Sequence, residues 1–223
     1  MVTHLKTVET QAFQLWSSEP LDSLGWHHPP VSLSGFVQSF ESFADMRHLA
    51  IEERWSRPPR TIVYFLSTLK DCGAPPDLGD GEYPRRRREE VRQNAIRFLK
   101  NEIAKIWPAA VDSDGEFRWD ILMDPADRET CSKGKADESR FDSQFWLANV
   151  DPSDRYVISV PGSQKYRVSP LDNTYDNLTI AGDWTACGMD TGCVEAAVIS
   201  GRLAAHAISS LPALEEIVAY DHP

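Results

Sequence analysis

The sequence predicts a mixed α/β fold, and three stretches predict it. Residues 61–69 carry Ile62, Val63, Tyr64 and Phe65 in succession, the composition of a buried strand. Residues 85–107 place apolar side chains at helical spacing over several turns. Residues 177–206 pass from a short apolar run through a glycine-rich turn to a small-residue stretch of 3.6-residue period.

The elements follow in chain order. Residues 7–16 alternate too poorly to separate a strand from a short helix. Residues 25–34 hold Trp26-His27-His28-Pro29-Pro30 and form a loop. Residues 43–55 have helical spacing through Met46, Leu49 and Ala50. Residues 71–84, rich in Gly, Pro and Asp, are loop. The helix over 85–107 gathers Val91, Ala95, Phe98, Leu99, Ile103 and Ile106 on one face, and Pro108 ends it. Residues 117–123 suggest a strand, residues 124–142 a polar loop and residues 155–160 a strand. Residues 178–181 are a strand bounded by Asn177 and Gly182, and residues 191–209 a helix. No internal repeat stands out.

Composition narrows the function. A chain of 223 residues holds one large or two small domains. A net charge of −11 argues against nucleic acid as a partner, because neutralising phosphates needs clustered basic charge. No run approaches the roughly 20 apolar residues of a membrane span, and the first ten residues lack the apolar core of a signal peptide. Cys72, Cys131, Cys187 and Cys193 include no Cys-x-x-Cys pair and suit a reducing cytoplasm as free thiols. The expected location is cytoplasmic, with peripheral membrane attachment left open. His27, His28 and His48 lack metal-site spacing and read as loop histidines, so no metal site is assigned. Arg85 to Arg88 precede Glu89 and Glu90, so a solvated helix start is favoured over a phosphate site. Asn177-Leu178-Thr179 matches a glycosylation sequon but falls in the expected buried strand. No Ser-His-Asp spacing or carboxylate pair supports a hydrolase, and catalytic residues are unassigned.

The chemistry concentrates after residue 177. Gly182 has no Cβ and lets a ligand come close to the backbone. Asp183 offers a carboxylate that accepts hydrogen bonds from sugar hydroxyls. From Thr191 the pattern is helical, with Cys193, Ala196, Ala197, Ser200, Leu203, Ala204, Ala207 and Ile208 recurring. The unpaired N–H groups of a first turn near Gly192, Cys193 and Val194 make a seat for an electron-rich oxygen. Cys187 and Cys193 flank this turn. A thiol at a helix N-terminus has a lowered pKa in some settings, but packing is the commoner role.

Ala181-Gly182-Asp183-Trp184-Thr185, followed by Gly192-x-x-Glu195-Ala196-Ala197-x-x-Ser200-Gly201, resembles the C-terminal FAD signature of the amine-oxidase and carotenoid-desaturase superfamily of flavoproteins. It leans toward the bacterial desaturase-like members. Residues 144–167 are similar to such proteins too, and more weakly so are residues 10–16 and Glu53-Arg54-Trp55. The resemblance implies a partial FAD-binding, Rossmann-like domain plus part of a substrate domain. The implied division is a substrate-domain portion at 1–165, a C-terminal segment of the FAD domain at 166–210 and a tail at 211–223. It further implies that Gly182, Asp183, Thr191, Gly192, Cys193 and Val194 form the cofactor-binding set. Asp183 would hold the ribityl or pyrophosphate region, and the backbone N–H groups of residues 192–194 would face the isoalloxazine ring. Tyr166 or Trp184 would lie near that ring, and aromatics of the first 150 residues would form substrate walls.

The departure is in the pyrophosphate cradle. The family opens on a βαβ unit with Gly-x-Gly-x-x-Gly. Here only Gly79-Asp80-Gly81 gives Gly-x-Gly, and Pro84 takes the third position. The expected function is therefore an FAD-dependent oxidoreductase represented by its C-terminal part, acting on an apolar or amine small molecule. An N-terminal half encoded separately is the expected partner, and FAD binding by this chain alone is expected to be weak or absent. The alternative is a non-catalytic remnant or partner subunit that binds no flavin by itself. A third reading, an ordinary strand-turn-helix unit, needs many agreeing positions to coincide.

Overall fold

A computed structural model describes residues 3–70, 79–124 and 137–220. Its strands are β1 (Lys6–Val8), β2 (Thr10–Ser17), β3 (Ser32–Ser34), β4 (Ser42–Asp45), β5 (Thr61–Thr68), β6 (Phe145–Asn149) and β7 (Tyr156–Ile158); its α-helices are α1 (Tyr83–Asn101) and α2 (Val194–Ser209). The class is mixed α/β, with antiparallel sheets. The chain forms two compact units, one of residues 9–151 and one of residues 1–8 with 152–223.

The 9–151 unit is built on a five-stranded antiparallel sheet in the order β3-β4-β5-β2-β6. Side chains alternate across it. One face carries Phe13 and Leu15 of β2, Val63 and Phe65 of β5, Phe43 of β4 and Trp146 of β6. That face is the core, and α1 supplies Val91, Ala95, Phe98 and Leu99 to it. Aromatic rings fill the middle: Phe13 stacks on Phe65 at 4.7 Å between centroids and meets Phe40 edge-on at 4.6 Å. The run over residues 61–69 and the apolar face over 85–107 form as their patterns predict, except that regular helix stops at Asn101 and a 3-10 turn follows at Ile103–Lys105.

Several expectations fail for identifiable reasons. Residues 43–55 are not a helix: Ser42–Asp45 is a strand whose Phe43 pairs with Phe65, and only Arg47–Leu49 turns, as 3-10. Phe43 buried in the sheet outweighs the helical spacing of Met46, Leu49 and Ala50, none of which is fully buried. Residues 117–123 form a 3-10 turn at Trp119–Ile121, with single bridges from Phe117 to Val111 and from Leu122 to Ser17 at the end of β2. Residues 10–17 resolve as strand, and Phe145–Asn149 adds an edge strand beside it. The expected loops at 71–84 and 124–142 fall partly outside the described residues, as do Cys72 and Cys131.

Arg87 is also not solvated. It is 3% exposed and donates to Glu9 Oε2 at 2.9 Å, to Glu90 Oε2 at 2.6 Å and to the Lys70 carbonyl at 2.7 Å. Tyr83 donates to Glu9 Oε1 at 2.8 Å. Arg85 and Arg86 remain on the surface, where Glu82 and Asp80 pair with them. The four-arginine run reads as uniform in sequence, but one helical position in it faces β2.

The other unit holds the two-stranded β1–β7 sheet, α2 and the segment after it. Its core is small: Cys187, Ala196, Ile199, Leu203 and Ile217, with Leu214 and Tyr220 against them. Residues 178–181 are not a strand. A strand needs a neighbour for its ladder, and none lies alongside among the described residues. Leu178 is 54% exposed instead of buried.

Candidate functional site

α2 begins at Val194, three residues later than its pattern suggests, because Cys193 is its N-cap. Cys193 is extended (φ −152°, ψ 164°), and its Sγ accepts the Ala196 N–H at 3.4 Å. A thiol stands here where an oxygen is usual. Ser210, left-handed at φ 61°, closes the helix by donating its N–H to the His206 carbonyl at 2.7 Å. Ala196, Ile199, Leu203 and Ala204 face the core, while Val194, Val198 and Ile208 stand 75%, 55% and 76% exposed.

The turn before α2 is held by side chains instead of a β-ladder. The Gly182 N–H donates to Ser200 Oγ at 2.9 Å. Thr185 Oγ1, buried, donates to the Gly182 carbonyl at 2.8 Å and lies 2.7 Å from Ser200 Oγ. Arg167 Nη1 donates to the Asp183 carbonyl at 2.9 Å. Ala186 N–H reaches the Val168 carbonyl at 3.1 Å. Asp190, at φ 49°, accepts the Cys187 N–H on Oδ1 at 3.1 Å. Gly182 is thus tied to the second turn of α2, whose mouth is formed by residues 191–194.

The expected cofactor residues then sort by what the structure does with them. Asp183 is half-buried, and its carboxylate makes no hydrogen bond or ion pair among the described residues. Glu195 and Val194 N–H groups, at the first turn, are likewise left for solvent or ligand. Cys193 N–H is already spent on the Thr191 carbonyl at 3.1 Å. The glycines do not keep open space. A Cβ at Gly182 collides with the Trp184 indole, and one at Gly192 meets the Tyr156 ring at 2.6 Å. Tyr156 also donates its hydroxyl to the Gly192 carbonyl at 2.6 Å. Gly188, at φ +96°, is closed off by the backbone of Ala219 and Tyr220. On the side where a Cβ would stand, Gly182 and Gly192 admit the chain's own aromatic rings. Trp184 lies in this turn, whereas Tyr166 stacks on His4 at 3.8 Å.

Sequence reading missed Arg167 and Tyr156 as parts of this site. It counted Ser200 only as a small packing residue. Ser200 at a buried position of an apolar stripe was the available signal, since a buried hydroxyl needs a partner.

A second surface lies on the 9–151 unit. The sheet face away from α1 sets Leu66, Ala12 and Leu147 in one row across β5, β2 and β6, and Tyr64, Gln14 and Phe145 in the next. Leu66, Phe145 and Leu147 are 39%, 43% and 38% exposed. Trp16 follows, tilted against Trp55 at 5.5 Å and donating Nε1–H to Glu53 at 3.2 Å. Partial burial raises the Tyr64 phenol pKa above its ordinary value. An antiparallel sheet usually turns polar residues to water, so this aromatic face is suited to an apolar ligand. On the opposite side, a cavity of about 540 Å³ is lined by Gln11, Ser39, Glu41, Lys70, Asn94 and Arg97. Its floor residue Gln11 is already hydrogen-bonded to Ser39, Ser67 and Asn94.

No described helix is long and apolar enough to cross a membrane. Comparison of the chain with family models, curated proteins and solved structures found no match.

Proposed function

We propose that the chain is the C-terminal part of an FAD-dependent oxidoreductase of amine-oxidase or desaturase type, with an apolar or amine small molecule as substrate. The observation that carries this reading is the unpaired, half-buried carboxylate of Asp183, on a turn fastened to the helix whose Val194 and Glu195 N–H groups are also without a partner among the described residues. The polar donors and acceptors present fit one part of a flavin nucleotide; the glycines add no cradle. Asp183 accepts hydroxyl hydrogens, and the Val194 and Glu195 amides with the helix dipole favour negative charge beside them. Bound FAD would supply the hydride-accepting chemistry, so no protein nucleophile is required.

The second reading, a partner subunit or remnant without flavin of its own, is favoured by the filled space over Gly182, Gly188 and Gly192. One titration separates the two. Without a Gly-x-Gly-x-x-Gly turn, FAD affinity should fall by several kcal/mol, at about 0.5–1.5 kcal/mol per hydrogen bond and roughly twice that for charged ones. The 223-residue chain should purify colourless. Adding a polypeptide that carries the missing βαβ unit should restore flavin absorbance, and Asp183→Ala should reduce it. Stoichiometric FAD on the isolated chain would show that other contacts hold the cofactor. No flavin uptake with the βαβ unit present would leave the non-flavin reading.

A further inference from the structure

Arg167 is 6% exposed, and no carboxylate lies within ion-pair distance of it among the described residues. Burying a guanidinium without a counter-charge is costly, and hydrogen bonds to its terminal nitrogens offset part of that cost. Its two terminal nitrogens are used at one place, while Nε is buried without a hydrogen-bond partner among the described residues. Nη1 reaches the carbonyls of Asp183 at 2.9 Å and Thr185 at 3.5 Å, and Nη2 reaches Ser159 Oγ at 3.1 Å. Ser159 Oγ in turn donates to the Asp190 carbonyl at 2.7 Å. One buried side chain thus grips the start of the turn directly and its far end through one hydroxyl.

We propose that Arg167 is the positioning residue of this site: it fixes the 182–190 turn so that the Asp183 carboxylate stays unpaired and available to a ligand. Residues 178–181 have no strand partner among the described residues, so no β-ladder there sets the backbone that follows. Thr185 and Ser200 anchor Gly182 to α2, but neither bonds the Asp183 carbonyl. Arg167 does, and it leaves that residue's carboxylate alone. A planar fork is required, because three acceptors in fixed directions must be met at once. A lysine ammonium keeps the charge but loses that geometry. Arg167 acts through backbone oxygens and is not itself placed against a ligand. Only the identity of that ligand rests on the flavin reading above.

The test uses the full chain with Arg167→Lys, Arg167→Met and the milder Ser159→Ala. Amide hydrogen exchange is followed over residues 182–190 and, as an internal reference, over α1. Both Arg167 variants should raise exchange in the turn by about tenfold or more, the loss of roughly one charged hydrogen bond, with α1 unchanged. Ser159→Ala should raise exchange near Asp190 to a smaller extent. Turn exchange equal to wild type in all three would overturn the proposal. FAD affinity, measured with the βαβ unit supplied, is the second readout. Arg167→Lys should lose affinity almost as Arg167→Met does, while Asp183→Ala loses affinity without changing turn exchange. An Arg167→Lys variant that binds as wild type does would overturn the proposal by showing that charge alone suffices. If wild type takes up no FAD, the flavin reading fails, and the exchange pattern alone decides the role of Arg167.

Discussion

Two ion pairs of this protein look alike in sequence and differ in consequence. Arg87 and Glu9 are buried together, so Arg87→Met removes the counter-charge of a buried carboxylate and should cost about 3–5 kcal/mol. Lys100 and Glu138 meet at 3.4 Å with both side chains about half exposed, and Lys100→Met should change stability by about 0.5 kcal/mol or less. Urea unfolding of the two variants checks the contrast. Asp183→Ala should fall in the second class for stability, because its carboxylate holds nothing in place. Tyr64 carries a pH signature. Its folded-state pKa lies above the ordinary 10.0, because burial disfavours the phenolate. The stabilisation it contributes is complete below the unfolded value and is lost as pH rises through the folded one. Tyr64→Phe should remove one late step from an alkaline ultraviolet titration and flatten that loss of stability. An unchanged titration would mean that the phenol is as wet as a free one.

Elements with long, one-sided patterns were legible. The apolar face of α1 and the run in β5 could be read directly, since burial there is decided by the helix or strand's own periodicity. What escaped depends on partners distant in sequence. Phe43 becomes a strand residue only because Phe65 stands opposite it. Residues 178–181 have strand composition and no strand beside them among the described residues. In the site, the acidic residue and the helix were legible, but the Tyr156 ring over Gly192 and the Arg167 grip on the turn were not. No local pattern links a residue at 156 or 167 to a glycine at 192 or a carbonyl at 183. α2 itself is apolar on both sides, with Val194, Val198, Gly201, Ala205 and Ile208 on the exposed one. A Cβ at Gly201 meets nothing within 4 Å. Gly201→Ala should therefore stabilise the chain by roughly 0.5–1 kcal/mol through helix propensity. Val198→Lys with Ile208→Glu should shift light scattering toward monomer, because the exposed stripe promotes self-association. A wild-type chain that stays monomeric at high concentration would contradict this.

The molecule as a whole divides its stability unevenly. The aromatic core belongs entirely to the 9–151 unit, while the unit with the candidate site rests on five buried residues around Cys187 and Leu203. Residues 9–151 expressed alone should unfold cooperatively. In the full chain, exchange protection should be lost first from α2 and last from β2 and β5. A single transition in which both units lose protection together would refute this ordering. The same division has a spectroscopic consequence. Of the seven tryptophans, Trp16, Trp26, Trp55, Trp107, Trp119 and Trp146 belong to the larger unit; Trp184 belongs to the smaller one, with its indole filling the space over Gly182. Fluorotryptophan incorporation should give one fluorine resonance from the turn itself, identified by its disappearance in Trp184→Phe. Its chemical shift reports the turn's conformation, and any ligand drawn to Asp183 should move that resonance before the other six.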